Sequence, residues 1–219
     1  MPPAIECRQV TVRFDRLAAL ESIDLELQPG QWAYLVGPSG SGKTTLLRAL
    51  AGLQSIVSGQ VMLEGRLATN RRIAVEPHLR RIGMIFQAPS LWPHLTAEAN
   101  VALALPEKNR RERLAEARRW LDRLHVADLA RRRPGEMSGG QAQRVARARA
   151  RAGRPRILLL DEPIAHLDLH LREGMMKLLR ELHDELKPAT LCVTHQIDPP
   201  FAESDRLAVL ERGRLIYDG

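Results

Sequence analysis

The sequence predicts an α/β fold: a sheet core with a β-rich N-terminal region, interrupted by an inserted helical subdomain. Three observations predict it. Residues 22–36 alternate and then turn continuously apolar, as strands do. From about residue 97 to 151 the apolar spacing becomes helical and arginine-dense. Beyond 155, short apolar runs of strand length return.

The elements follow in order. Ser22-Ile23-Asp24-Leu25-Glu26-Leu27-Gln28 alternates strictly, so Ile23, Leu25 and Leu27 share the buried face of a strand. Pro29-Gly30 is a turn, and Trp32-Ala33-Tyr34-Leu35-Val36 has the apolar character of a strand covered on both faces. Further strands are expected at 60–64, 81–86, 157–160, 189–194, 206–210 and 214–217. Within 110–126, Leu114, Ala117, Leu121 and Leu124 form one helical stripe, leaving the arginines on a solvated face. No internal repeat or low-complexity linker is present.

Composition bounds the function. The chain has 219 residues, 44% hydrophobic and 27% charged, which excludes a largely disordered protein. Its longest apolar stretch, around 157–160, falls far short of the ~20 residues that cross a bilayer. Residues 1–6 have neither a basic start nor an apolar core, so no secretion signal is expected and an intracellular location is the default. Cys7 and Cys192 lie in no CxxC or Cys/His cluster, which argues against structural zinc or a disulfide framework; Cys192 reads as a small buried residue. The net charge is +7 and 29 of the 33 basic residues are arginine. That balance suits nucleic acid, a phosphate-bearing ligand or a membrane face, and charge alone does not choose.

Gly37-Pro38-Ser39-Gly40-Ser41-Gly42-Lys43-Thr44-Thr45 fits GxxxxGK[ST] between a strand and a helix expected at 44–50. Glycines let backbone N–H groups curl around phosphate oxygens, and the helix start adds partial positive charge. Lys43 is placed to reach the β/γ-phosphates and the Thr44 hydroxyl to ligate Mg²⁺. The strand at 157–160 ends in Asp161-Glu162-Pro163. Beside a phosphate loop, Asp161 is the metal-side carboxylate and Glu162 the group able to accept a proton from attacking water. Met137-Ser138-Gly139-Gly140-Gln141 precedes a helix expected at 142–151, a second helix start suited to an anion.

With these motifs in order, the whole chain resembles the ATP-binding cassette (ABC) ATPases. Met137–Gln141 looks like the family's LSGGQ signature, with Met137 for leucine. Phe14 sits where the family stacks an aromatic on adenine, and Gln87 matches the glutamine that contacts Mg²⁺ and water. Asp161 and Glu162 match the Walker B aspartate and catalytic glutamate, Leu167-Asp168 the D-loop, and His195 the switch histidine. His166 departs from the small or amide residue usual there, and residue 165 is alanine where serine is usual.

The resemblance implies a P-loop NTPase core with an N-terminal antiparallel β subdomain (1–87 and 155–219) and a helical subdomain at 88–154, together one ABC ATPase domain. It implies ATP and Mg²⁺, with Lys43, Gln87, Glu162 and His195 catalytic and Thr44, Gln87 and Asp161 on the metal. The nucleotide would lie on Phe14, residues 37–45 and Asp168. Ser138, Gly139, Gly140 and Gln141 of a second subunit, most simply a homodimer partner, would close over it.

The implied partner is an integral membrane permease received at about 88–101, with Leu91, Trp92 and Leu95 as candidate anchors, and indirectly a solute-binding protein. No direct nucleic-acid contact is expected. The implied location is the cytoplasmic face of the inner membrane, held peripherally. Residues 89–101 and 167–172 resemble importer cassettes, so a bacterial binding-protein-dependent importer is the leading reading. Cassettes of exporters and of lipoprotein- or lipid-handling systems share the motifs and stand second; a nucleic-acid-associated ATPase stands third. The chain ends soon after the last expected strand, so no regulatory C-terminal domain is expected.

Overall fold

A computed structural model describes residues 1–15, 17–85, 91–105, 109–164, 169–195 and 204–219. The chain divides into two compact units, Met1–Gln87 with Arg156–Gly219, and Ala88–Pro155.

The first unit is built on two sheets. In one, β1 (Ile5–Phe14) pairs antiparallel with β2 (Leu17–Leu27) and with β4 (Ser58–Leu63), and β5 (Arg66–Thr69) closes the order β2-β1-β4-β5. Ile23, Leu25 and Leu27 are buried on one face of β2, as the alternation predicts. The other sheet has the order β10-β9-β3-β8-β7-β6. Its members are β3 (Trp32–Val36), β6 (Ile82–Ile85), β7 (Ile157–Asp161), β8 (Ala189–Thr194), β9 (Arg206–Glu211) and β10 (Arg214–Asp218). All pairs there are parallel except β9 with β10. Strands β3, β7 and β8 are buried at every position, as expected of strands without a solvent face.

Helix α1 (Lys43–Ala51) follows β3 and buries Leu46, Leu47 and Leu50 in the core with Ala33 and Leu35. Its far end is closed by Arg80, which is itself buried. The Arg80 guanidinium donates to Ala49 O (3.2 Å), Leu50 O (2.8 Å), Val75 O (2.9 Å) and Thr69 Oγ1 (2.6 Å). A cation at a helix C-terminus satisfies carbonyls that have no partner one turn on. Helix α5 (Leu169–Leu186) brings Arg180 over the Trp32 ring at 4.2 Å and sets His183 edge-on to it at 5.2 Å. His183 Nδ1 is 2.9 Å from Thr190 Oγ1 on β8.

The second unit is helical: α2 (Ala97–Ala102), α3 (Arg110–Arg123) and α4 (Gly139–Ala152). Ala117, Trp120 and Leu121 of α3, Val101 of α2 and Val145 and Ala148 of α4 form its core. Helix α3 ends three residues before the expected 126, because the chain turns at His125 with φ +55°. Both cysteines are buried and unpaired with each other.

Candidate functional site

Strand register brings the site together. Val36 of β3 pairs with Thr194 of β8, and Asp161 of β7 pairs with Val193. The next residues along each strand, Gly37, Glu162 and His195, therefore emerge at one carboxyl edge of the parallel sheet. That edge is where ligands bind in open α/β sheets.

The loop 37–42 can take its path only with glycine at two positions. A Cβ on Gly37 would lie 2.0 Å from Leu210 O, and one on Gly42, at φ +108°, 2.4 Å from Ala19 O. Gly42 caps α1, whose first N–H groups have no carbonyl one turn back and face the loop. Lys43 is buried, and its Nζ donates to Gly37 O (2.7 Å) and Pro38 O (2.9 Å). Burial pulls its amine below the ordinary lysine value, while the charges of Glu162 and Asp161 push it back. Ser41 Oγ is buried with no partner among the described residues. The loop thus holds a lysine and a hydroxyl satisfied only by its own backbone or not at all.

Thr44 Oγ1 donates to Asp161 Oδ1 at 2.9 Å. This spacing tests whether Mg²⁺ fits. Two oxygens on adjacent corners of an octahedron with Mg–O of about 2.1 Å lie about 3 Å apart. The pair fits a hard, octahedral cation. Burial raises the Asp161 carboxyl, opposed by the Thr44 hydrogen bond and by the Arg48 and Lys43 charges. A cation beside it would oppose that rise further.

Glu162 leaves β7 in the left-handed region, φ +47°, with its N–H donated to Val193 O at 3.0 Å. That turn separates its side chain from that of Asp161. Glu162 Oε2 lies 3.1 Å from His195 Nδ1. A carboxylate held in strained backbone next to an imidazole is a feature of reactive sites. Phe14, at the end of β1, is 48% exposed and presents an open ring face. Gln87 and Asp168, expected at this site, lie outside the described residues, as does His166.

In the helical unit, Ser138 is the N-cap of α4: its Oγ accepts from Gln141 N (3.3 Å), and Gln141 Oε1 accepts from Ser138 N (2.9 Å). A Cβ added to Gly139 or Gly140 would meet nothing within 4 Å, and neither has positive φ. The chain's own packing does not require these glycines. The first turn of α4 has no acidic residue, so the Gly139 and Gly140 N–H groups and the helix dipole stay available to an anion.

Of the expected anchors at 91–95, Leu91 is corrected: it is 8% exposed and belongs to the helical core. Leu95 is half-buried and Trp92 is 53% exposed, edge-on to His94. Sequence reasoning does not single out Asn100, which is fully buried and orders this loop. Its Oδ1 accepts from Trp92 N (2.7 Å), and its Nδ2 donates to Trp92 O, Leu95 O and Thr96 O (3.1–3.2 Å). An apolar loop followed by a buried amide is the only signal that could have pointed to it.

A family profile described as "ABC transporter" matches residues 20–165. The chain is 43% identical over 217 residues to the Fe(3+) ions import ATP-binding protein FbpC of Streptomyces avermitilis, covering 98% of this chain and 62% of that protein. It is 42% identical over 218 residues to the sulfate/thiosulfate import ATP-binding protein CysA of Bordetella bronchiseptica, covering 97% and 60%. The chain therefore spans about three fifths of the length of the curated relatives it matches. Among solved structures it is similar to the dimeric MJ0796, a bacterial ABC transporter cassette, with TM-score 0.80, 31% identity and coverage of 98% and 97%. It is also similar to cbiO1 of Clostridium perfringens, part of the ABC transporter complex cbiONQ, with TM-score 0.83, 27% identity and coverage of 100% and 89%.

Proposed function

The chain belongs to the ABC transporter ATP-binding family, and from that premise we propose that it hydrolyses ATP to power a membrane importer of a small solute or metal complex. The observation that carries this reading is the convergence at one sheet edge of Lys43 in its loop, the Thr44–Asp161 pair and the Glu162–His195 pair.

In the proposed reaction the 37–45 loop wraps the phosphates, and Lys43 moves from Gly37 O and Pro38 O to the β/γ oxygens. Phe14 stacks on the base. Thr44 and Asp161, joined by Gln87, would hold Mg²⁺, which would supply positive charge to offset that of the phosphates. Glu162 accepts the proton of attacking water, and His195 and Lys43 offset the charge that develops on the transferred phosphoryl group.

Ser138, Gly139, Gly140 and Gln141 act on the nucleotide of a second copy, with Asp168 at the contact. Two glycines that the chain's own packing does not require support this: a helix start with no side chains admits close approach from outside. ATP then joins two subunits head to tail, and hydrolysis releases them.

A permease docks at about 88–101 with Trp92 as anchor, a solute-binding protein supplies cargo from the far side, and the ATPase works at the cytoplasmic face of the inner membrane. No helix of the described residues is long and apolar enough to cross a membrane; in this reading the permease supplies the spanning path. The import names of the relatives favour import over export.

The test is the light-scattering mass of purified Glu162→Gln with and without Mg-ATP. A shift from monomer to dimer on adding ATP is expected; an unchanged mass with nucleotide bound counts against the trans site.

A further inference from the structure

Formal charge is divided unevenly between the two compact units. Ala88–Pro155 holds fifteen Lys and Arg against seven Asp and Glu, a balance of +8, while the rest of the chain holds eighteen against nineteen, a balance of −1. The whole cationic surplus of the protein sits on less than a third of its length.

Much of that surplus faces solvent. Arg110, Arg111 and Arg123 are exposed on α3, and Arg131, Arg132 and Arg133 are exposed in the segment that follows. The apolar stripe of α3 is turned into the unit's own core, and of these arginines only Arg123 packs on it, over the Trp120 ring. Arg118 and Arg119 are paired with Glu98 and Glu116, whereas no carboxylate within 4 Å of the six guanidinium groups is found among the described residues. Like charges at this density repel one another in the folded unit, and an anionic partner relieves that repulsion.

We propose that the arginine surface of the helical unit binds the anionic phospholipid face of a bilayer. The proposal rests on the reading of the chain as a membrane-transport ATPase. Guanidinium groups donate two parallel hydrogen bonds to a phosphate diester, and each cationic side chain adds to attraction by an anionic leaflet. Single-stranded nucleic acid would require exposed aromatics among the cations for base stacking. Of the two Phe, Trp or Tyr residues in the helical unit, Trp120 is buried with Arg123 over its ring at 4.8 Å, and Trp92 alone is exposed, in the loop before α2, so no series of stacking aromatics lies among the cations.

The test is co-sedimentation of the purified chain with vesicles of phosphatidylcholine alone or mixed with phosphatidylglycerol, at low and high salt. Binding to the mixed vesicles only, weakened by salt, is expected. The variant Arg110→Glu, Arg111→Glu, Arg131→Glu, Arg132→Glu brings the helical unit from +8 to neutral. Two of its changes put acids in the first turn of α3, where the helix dipole favours them, so folding is preserved. Bound fraction is expected to fall at least about tenfold.

The control Arg66→Glu, Arg71→Glu, Arg72→Glu, Arg212→Glu removes the same charge from exposed positions of the other unit. It is expected to change binding by less than about twofold, since screening confines each charge's effect to its own neighbourhood. Equal loss in the two variants overturns the proposal, as does absence of binding to mixed vesicles or tighter binding to random-sequence duplex DNA at the same salt. Mg-ATP hydrolysis by the same preparations separates the two readings. Hydrolysis without vesicle binding removes only the lipid contact, and vesicle binding without hydrolysis removes only the ATPase assignment.

Discussion

His195 Nδ1 stands 3.1 Å from Glu162 Oε2, although 33 positions separate them in the chain. The contact exists because β7 and β8 run parallel with Asp161 opposite Val193, so each residue is delivered just past the end of its strand. In the proposed mechanism the pair joins a proton acceptor to a group able to steady both it and the phosphoryl charge. Glu162→Gln keeps the shape and removes the acceptor, and phosphate release is expected to fall by about 10²–10⁴-fold. His195→Ala is expected to slow release with little change in ATP affinity. Near wild-type turnover in Glu162→Gln, measured under saturating ATP, removes Glu162 from the mechanism.

Gly140→Ala separates folding from function. Its Cβ meets open space and its φ is negative, so the isolated chain gains up to about 1 kcal/mol of helix stability. In the proposed dimer the same methyl group obstructs the approach of a second subunit's nucleotide. Melting temperature is expected to rise slightly while ATP-driven dimerisation is lost, read by calorimetry and light scattering on one sample. A variant that dimerises normally argues that the α4 start does not meet nucleotide.

Trp92 and Asn100 should behave oppositely. Trp92 is mostly outside the helical core, so Trp92→Ala is expected to change stability by less than about 0.5 kcal/mol while weakening permease assembly at least about tenfold. Asn100→Ala removes four hydrogen bonds from a buried position and is expected to cost about 2–4 kcal/mol. Urea unfolding and co-purification with the permease distinguish the two.

Acid sensitivity should trace to His183. Burial, then the Lys187 charge, holds its imidazole below the ordinary histidine value. The native state keeps it neutral, whereas the unfolded chain takes up a proton as pH falls past about 6.5. Stability is therefore present above that value and declines below it, down to the lower folded value. The urea midpoint is expected to drop between about pH 7.5 and 5, and His183→Asn should flatten that slope. A wild-type midpoint independent of pH over this range excludes the role.

Strands without a solvent face were legible because the unbroken apolar run at 157–160, and Leu191-Cys192-Val193 within 189–194, have one simple interpretation. Helix α4 starts at Gly139, three residues before the expected 142, because low glycine propensity hides a helix start that Ser138 and Gln141 cap reciprocally. Strand β1 is not legible, because Gln9 breaks the alternation of Ile5, Cys7 and Val10, a break that the structure takes up as a bulge with Gln9 at φ +51°. The phosphate loop was readable as a local motif. The meetings of Thr44 with Asp161 and Glu162 with His195 depend on register between strands distant in sequence, which no local pattern encodes. Arg80 is one arginine among 29, and nothing in its neighbours marks it as buried.

Arg80 has a mechanical consequence. It fixes a permanent cation against the carbonyls of Ala49 and Leu50 while its other nitrogens hold Val75 and Thr69. Helix α1 is thereby clamped at its rear, like a bar set in a wall, and only its forward tip meets a charge that comes and goes. In the proposed cycle, loading and loss of phosphate then act on a cantilever whose fixed end is Arg80, so displacement is greatest at the loop end and least at the clamp.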